Sequence, residues 1–258
     1  MYKTFDVEKG GVFLRKPKMI IFDYGHTLCY EADFDGIRGT EAIMKHAVQN
    51  RNDLSSKEIS AFSDSLYNGI AQDVRNASIE IHNLIYEKFM YEYLQISFDL
   101  QPDQIEQIFW DNAAPGVPMP NADKALDYLK NCGIRSGVIS NIAFSGANLK
   151  NRLDRLFPRN TFEFIIASSE YMFRKPNRML FELALRKADL PAEEVWYCGD
   201  STDFDIAGAY NAGIFPVWYH STIECSYRDK SLDFQPDYAH LYIRDWLELI
   251  EVLENTEK

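Results

Sequence analysis

The sequence predicts an α/β chain: a doubly wound parallel sheet of Rossmann-like organisation, interrupted after its first strand by an all-helical inserted domain. Two observations carry this expectation. Short apolar runs at Ile20, Val138, Phe164, Val195, Phe215 and Tyr238 alternate with amphipathic segments such as Ala122 to Cys132, the pattern of parallel strands joined by covering helices. Between the first two runs, residues 29–113 keep a helical period with few breaks. The expected division is a core of residues 1–28 and 114–258 and a cap of residues 29–113.

Taken in order, residues 1–17 contain Gly10-Gly11 and Val12-Phe13-Leu14 and read as an N-terminal extension, either an edge hairpin or a mobile segment. Met19-Ile20-Ile21-Phe22 is a continuous apolar run, as expected of a strand buried on both faces. In the insert, Asp33 to Asn50 and Ser55 to Tyr67 alternate apolar and polar residues at helical spacing, and Ile79 to Tyr93 places Ile81, Leu84, Ile85, Phe89 and Tyr93 on a common face. Pro102-Asp103 opens a further helix ending near Trp110. The aromatic residues of the insert, Phe62, Tyr67, Tyr86, Phe89, Tyr91, Tyr93, Phe98 and Trp110, read mostly as bundle core. The last helix, Ile243 to Leu253, turns Trp246, Leu249, Ile250 and Leu253 inward.

Composition narrows the function classes. At 258 residues and 46% hydrophobic content the chain can bury a core and an inserted domain. Lys plus Arg number 27 against 39 acidic residues, a net charge of −12 that disfavours nucleic acid and anionic membrane surfaces as partners. Cys29, Cys132, Cys198 and Cys225 stand singly, without zinc-ligand spacing, and no apolar run is long enough to cross a membrane. A reducing cytoplasm is the expected location. Oligomeric state has no signal.

Four segments carry chemistry. The first apolar strand runs into Asp23, a candidate nucleophile at the carboxyl end of a parallel strand, where open α/β sheets place their ligands. Gly137-Val138-Ile139 leads to Ser140 and Asn141, whose hydroxyl and amide can donate to phosphoryl oxygens. Arg174-Lys175-Pro176 supplies an ammonium. Val195-Trp196-Tyr197-Cys198-Gly199-Asp200, followed by Asp203 and Asp205, delivers hard oxygen donors suited to magnesium.

In this order the segments resemble the four motifs of the haloacid dehalogenase superfamily, from about Lys18 to the Pro236-Asp237-Tyr238 strand signal and including Asn211-Ala212-Gly213. The resemblance implies a hydrolase whose helical cap selects a small phosphorylated substrate, with Asp23 attacking phosphorus to form an aspartyl-phosphate. By the same resemblance Thr27, Ser140 and Asn141 hold phosphoryl oxygens. Lys175 neutralises charge, and Mg²⁺ is held by Asp23, the Gly25 main-chain carbonyl, Asp200 and Asp205. Members that are phosphatases carry a second aspartate two residues after the nucleophile as general acid and base; here that residue is Gly25. His26, Tyr30 or Glu31 could supply the proton, or the leaving group could need none.

Gly25 also matches neither the alanine of phosphonate-cleaving relatives nor the tyrosine of haloacid dehalogenases. Phosphonatase chemistry further calls for a cap lysine, for which Lys45, Lys57 and Lys88 are the candidates. Retention of Asp200 and Asp205 favours a phosphoryl substrate over a haloacid. A protein that binds a phosphorylated ligand without turning it over is the remaining alternative.

Overall fold

The computed structural model describes residues 3–5, 14–223 and 233–256; Gly10-Gly11, Val12-Phe13 and Cys225 lie outside them. The chain runs β1 (Lys3–Phe5), β2 (Met19–Phe22), β3 (Cys29–Glu31), α1 (Gly36–Met44), β4 (Ala47–Asn50), α2 (Ser56–Asn76), α3 (Asn83–Leu94), β5 (Ile96–Phe98), α4 (Pro102–Ala113) and β6 (Gly116–Pro118). It continues through α5 (Ala122–Cys132), β7 (Arg135–Ser140), α6 (Gly146–Leu156), β8 (Phe162–Ala167), α7 (Ser168–Tyr171), α8 (Arg178–Ala188), β9 (Val195–Gly199), α9 (Ala207–Asn211), β10 (Phe215–Tyr219), β11 (His240–Ile243) and α10 (Trp246–Asn255).

The main sheet has the order β1-β11-β10-β9-β2-β7-β8 and is parallel except for β1, which pairs antiparallel with β11 at the edge. The segment Lys3–Phe5 of the N-terminal extension is therefore an edge strand. Strand β2 is central, with Phe22 opposite Val138 on one side and Cys198 on the other. All four residues of β2 are fully buried. Their alternation divides the core: Ile20 and Phe22 pack with α5, α6 and α10 on one face, and Met19 and Ile21 with α8 and α9 on the other. Because the chain leaves β2 toward β7 on one side and β9 on the other, the strand order switches at the carboxyl end of β2, where a crevice opens.

Trp246 ties the last helix to that crevice. Fully buried, it stacks on Tyr219 at 4.4 Å, meets Phe22 edge-on and donates from Nε1 to the Thr27 carbonyl at 3.2 Å. The expected inward face of this helix is realised by Trp246, Leu249, Val252 and Leu253, with Ile250 only half-buried.

The insert packs α1 to α4 around Ile43, Ile59, Met90, Leu94, Ile96 and Ile105 as a separate apolar cluster. It also holds a two-stranded ladder, β4 against β5, and is joined to the core through β3 against β6. The helix expected over Asp33 to Asn50 ends at Met44 because residues 47–50 pair with residues 96–98 instead. Helix α3 buries the face opposite to the one expected: Glu87, Met90, Tyr91 and Leu94 face in, whereas Ile85, Phe89 and Tyr93 are exposed. This helix is apolar nearly all round, so its period could not decide the face.

Side chains lock insert to core. Arg152 of α6 is fully buried, donates to Glu31 (2.8 Å), Asp111 (3.0 Å) and the Ala114 carbonyl (3.0 Å), and lies 3.6 Å from the Trp110 ring centroid. Glu106 of α4, also fully buried, accepts from the Ser145 amide (3.0 Å) and Asn148 Nδ2 (2.7 Å), so a cap carboxylate sits at the N-terminus of a core helix.

Next to Glu106 lies Glu87, and burial, helped by the Glu106 charge and opposed by an Asn83 hydrogen bond, pushes its carboxyl up to about 8. Folded chains therefore hold a proton that unfolded chains have lost between the ordinary glutamate range and pH 8. The contribution is fully present below the unfolded value and is lost as pH rises through the folded one. Stability is expected to fall across this window by up to about 1.4 kcal/mol per pH unit from this residue. Urea unfolding at a series of pH values should show that slope in the native chain and a flatter one in Glu87→Gln.

Candidate active site

Three strand ends meet at the crevice. Asp23 follows β2, Ser140 ends β7 and Asp200 follows β9; the Asp23 amide is fixed by donation to the Cys198 carbonyl at 2.8 Å. Lys175 enters from the segment before α8, its ammonium donating to Asp23 Oδ1 and Asp205 Oδ1, each at 2.6 Å, and to Tyr197 Oη at 2.9 Å. Every one of these side chains is buried. Burial pushes the Asp23 carboxyl up to about 6 even though the Lys175 ammonium opposes it. Burial alone would lower Lys175; the charges of Asp205 and Asp23 outweigh it and hold the ammonium above its ordinary value.

Asp23, Asp200 and Asp205 bring carboxylate oxygens within 4.8 Å of one another. Three buried carboxylates face one buried ammonium, so the described charges leave a negative excess of the kind a hard divalent cation balances. The donor set fits magnesium. Asp205 is held for this position by Tyr197 Oη at 3.0 Å and by the Ser201 amide, which donates to its other oxygen at 3.0 Å. Gly199 makes room for it: a β-carbon added there would lie 2.3 Å from that of Asp205.

The other expected site residues divide by what they touch. Ser140, Asn141, Gly25 and His26 line the crevice. Asn141, however, uses both ends of its amide on Lys175, accepting from its main-chain N–H at 2.7 Å and donating to its carbonyl at 3.0 Å, so the side chain fixes the lysine. Thr27 is fully buried and its hydroxyl donates to Asp23 Oδ2 at 3.3 Å; its partner is the candidate nucleophile. His26 has φ 54° and donates its main-chain N–H to the Cys29 carbonyl at 2.7 Å. A backbone in that left-handed region favours glycine, and here a histidine adopts it. A β-carbon built on Gly25 meets nothing within 4 Å. Glu31 also lines the crevice, and its carboxylate is held by Arg152 and by Tyr24 Oη, which donates to it at 3.0 Å.

The profile of haloacid dehalogenase-like hydrolases matches residues 20–218, which contain every strand end and side chain of the crevice. The chain belongs to this family. It is 32% identical over 143 residues to a glyceraldehyde 3-phosphate phosphatase of Methanocaldococcus jannaschii, covering 55% of this chain and 58% of that protein. To the protein of the same name in Pyrococcus furiosus it is 27% identical over 254 residues, 93% of this chain and 95% of the other. Against some curated relatives, then, the chain spans little more than half their length. A HAD phosphatase structure from Thermococcus onnurineus shares the fold with a TM-score of 0.59 at 18% identity, over 93% of this chain and 98% of that one.

Tyr197 escaped the sequence reading because a tyrosine in an apolar strand gives no sign of where its hydroxyl ends. In this haloacid dehalogenase-like core it bridges Lys175 and Asp205, and its hydroxyl lies 3.3 Å from the Ile139 carbonyl. Tyr197→Phe keeps the ring and loses a hydrogen bond to a charged pair, an effect of about 1.5 kcal/mol or roughly tenfold in rate. The expected result is a fall in kcat with KM little changed, read in steady-state kinetics. No helix among the described residues is long and apolar enough to cross a membrane.

Proposed function

We propose that the chain is a magnesium-dependent phosphatase of small phosphorylated metabolites that works through an aspartyl-phosphate on Asp23. The observation that carries this reading is the buried Asp23 carboxylate, 2.6 Å from the Lys175 ammonium and clustered with Asp200 and Asp205 at the switch point of the sheet. The names of the relatives from Methanocaldococcus jannaschii and Pyrococcus furiosus support phosphate monoesters as the substrate class.

In this reading the phosphoryl group enters the crevice beside Lys175 and Ser140. An Asp23 oxygen attacks phosphorus as the ester P–O bond breaks, and the leaving oxygen takes a proton. Water then attacks the aspartyl-phosphate, releasing phosphate and restoring the carboxylate. Lys175 offsets the charge gathering on the transferred group. The magnesium ion, held by Asp23, Asp200, Asp205 and the Gly25 carbonyl, would supply charge stabilisation to the phosphoryl oxygens. His26 and Glu31, both lining the crevice, are the groups on hand to move the proton.

Neither Lys45, Lys57 nor Lys88 lines the crevice or the cavity beside it, and all three are exposed, which removes the cap lysine that a phosphonatase reading needs. Gly25 favours a second reading, retention of a phosphorylated ligand without turnover. Magnesium-dependent release of p-nitrophenol from its phosphate ester separates the two. Turnover that Asp23→Asn abolishes supports the phosphatase, and a further loss in His26→Ala assigns the proton to the imidazole.

A further inference from the structure

Beside the crevice, between insert and core, lies a cavity of about 510 Å³. Glu31, Phe34, Phe144 and Arg174 line both spaces, so a group bonded to a phosphate at Asp23 extends directly into the cavity. The volume is in the range, roughly 300–1,000 Å³, of sites that bury ligands of drug size, and a three-carbon leaving group would leave most of it unfilled.

We propose that this cavity takes the leaving group of the substrate, and that this group bears an aromatic ring, donates hydrogen bonds and carries no second anion. The substrate class is a phosphomonoester of the nucleoside monophosphate kind, rather than a phosphorylated acid, a bisphosphate or a triose phosphate. This rests on the phosphatase reading above and specifies its substrate.

The walls argue each term. Phe34, Tyr67, Tyr86, Tyr91, Phe109 and Phe144 supply rings, and Phe144 is itself fixed by stacking on Trp110 at 4.3 Å. Flat apolar walls of this kind favour a flat apolar ring in the ligand. The charges are one-sided. Arg174 is the only described cation on the wall, and it is already paired with Glu80, which also accepts from the Ser168 hydroxyl at 2.9 Å. Glu31 is paired with Arg152 at 2.8 Å. Asp64 and Glu87 complete the carboxyl groups on the wall, and neither is in an ion pair among the described residues. Among the described residues a second phosphate or carboxylate would thus meet no unpaired cation and at least one carboxylate, whereas an amino or hydroxyl donor would find acceptors.

Four phosphate esters and anhydrides decide the matter with the full chain and Mg²⁺: acetyl phosphate as an activated reference too small to use the cavity, cytidine 5′-monophosphate, D-glyceraldehyde 3-phosphate and 2-phosphoglycolate. The expected kcat/KM for cytidine 5′-monophosphate exceeds those for glyceraldehyde 3-phosphate and 2-phosphoglycolate at least tenfold. Asp64→Lys, an exposed substitution, should narrow the gap to 2-phosphoglycolate at least fivefold. Equal or reversed preference, with acetyl phosphate still hydrolysed, overturns the cavity assignment and leaves the phosphatase reading in place. Failure to hydrolyse acetyl phosphate removes the phosphatase reading, and calorimetric titration of Asp23→Asn then tests the cavity alone. Cytidine 5′-monophosphate binding at least tenfold tighter than 2-phosphoglycolate upholds it; no preference overturns it.

Discussion

Gly25→Asp is expected to raise turnover of an unactivated phosphate monoester by about 100- to 10,000-fold, the usual contribution of a positioned general acid and base. The site is prepared for that side chain in every respect but the residue. Gly25 lines the crevice two residues beyond the candidate nucleophile, and a β-carbon built on it meets no atom within 4 Å. Its backbone is not among those with positive φ, so an L residue can stand there without strain. The gain should be confined to poor leaving groups: p-nitrophenyl phosphate, whose phenolate departs unaided, should change little, and a simple alkyl phosphate should change most. Comparing kcat/KM for the two substrates in native and variant chains checks this. A small, equal change on both would mean that His26 or Glu31 already supplies the proton.

Asp23→Asn should abolish turnover, a loss of roughly 10⁴-fold or more on the scale seen when a nucleophile is removed. The substitution is nearly isosteric, yet it takes away the negative charge that Lys175 holds at 2.6 Å and the oxygen proposed to receive the phosphoryl group. Binding should survive, because Ser140, Asp200 and Asp205 are untouched. The fold should survive as well, since the main-chain bond from Asp23 to the Cys198 carbonyl does not involve the side chain. Circular dichroism with steady-state kinetics separates loss of chemistry from loss of structure. Residual activity above about one hundredth of native would place the nucleophile elsewhere.

The sequence made the core legible because its chemistry sits at the ends of apolar runs: Asp23, Ser140 and Asp200 each close a buried strand, and the parallel pairing of β2 with β7 and β9 brings those ends together. The cap was less legible. Strands of three and four residues such as β4 and β5 are too short to show a period of two, and α3 is apolar on both sides. Of the aromatic residues read mostly as bundle core, Tyr91 is buried in the insert's apolar cluster with Phe62, Tyr86 and Phe98 packed against it, and Trp110 is buried in the main core, whereas Tyr67, Phe89 and Tyr93 are exposed; Tyr67, Tyr86 and Tyr91 also line the cavity, and Trp110 the crevice. Least legible were partners distant in the chain. Tyr197, Arg152 and Glu106 act through bonds whose other ends lie up to 128 residues away, and no local pattern announces them.

The proposed reaction requires Asp23 to carry the phosphoryl group. Acid quench of the chain during turnover of acetyl phosphate with Mg²⁺, followed by peptide mass analysis, tests it most directly. One added phosphoryl group is expected on the peptide containing Asp23, sensitive to hydroxylamine and missing from Asp23→Asn. A phosphoryl group on another residue, or rapid turnover with no acyl phosphate under conditions that trap a stable control, would contradict it.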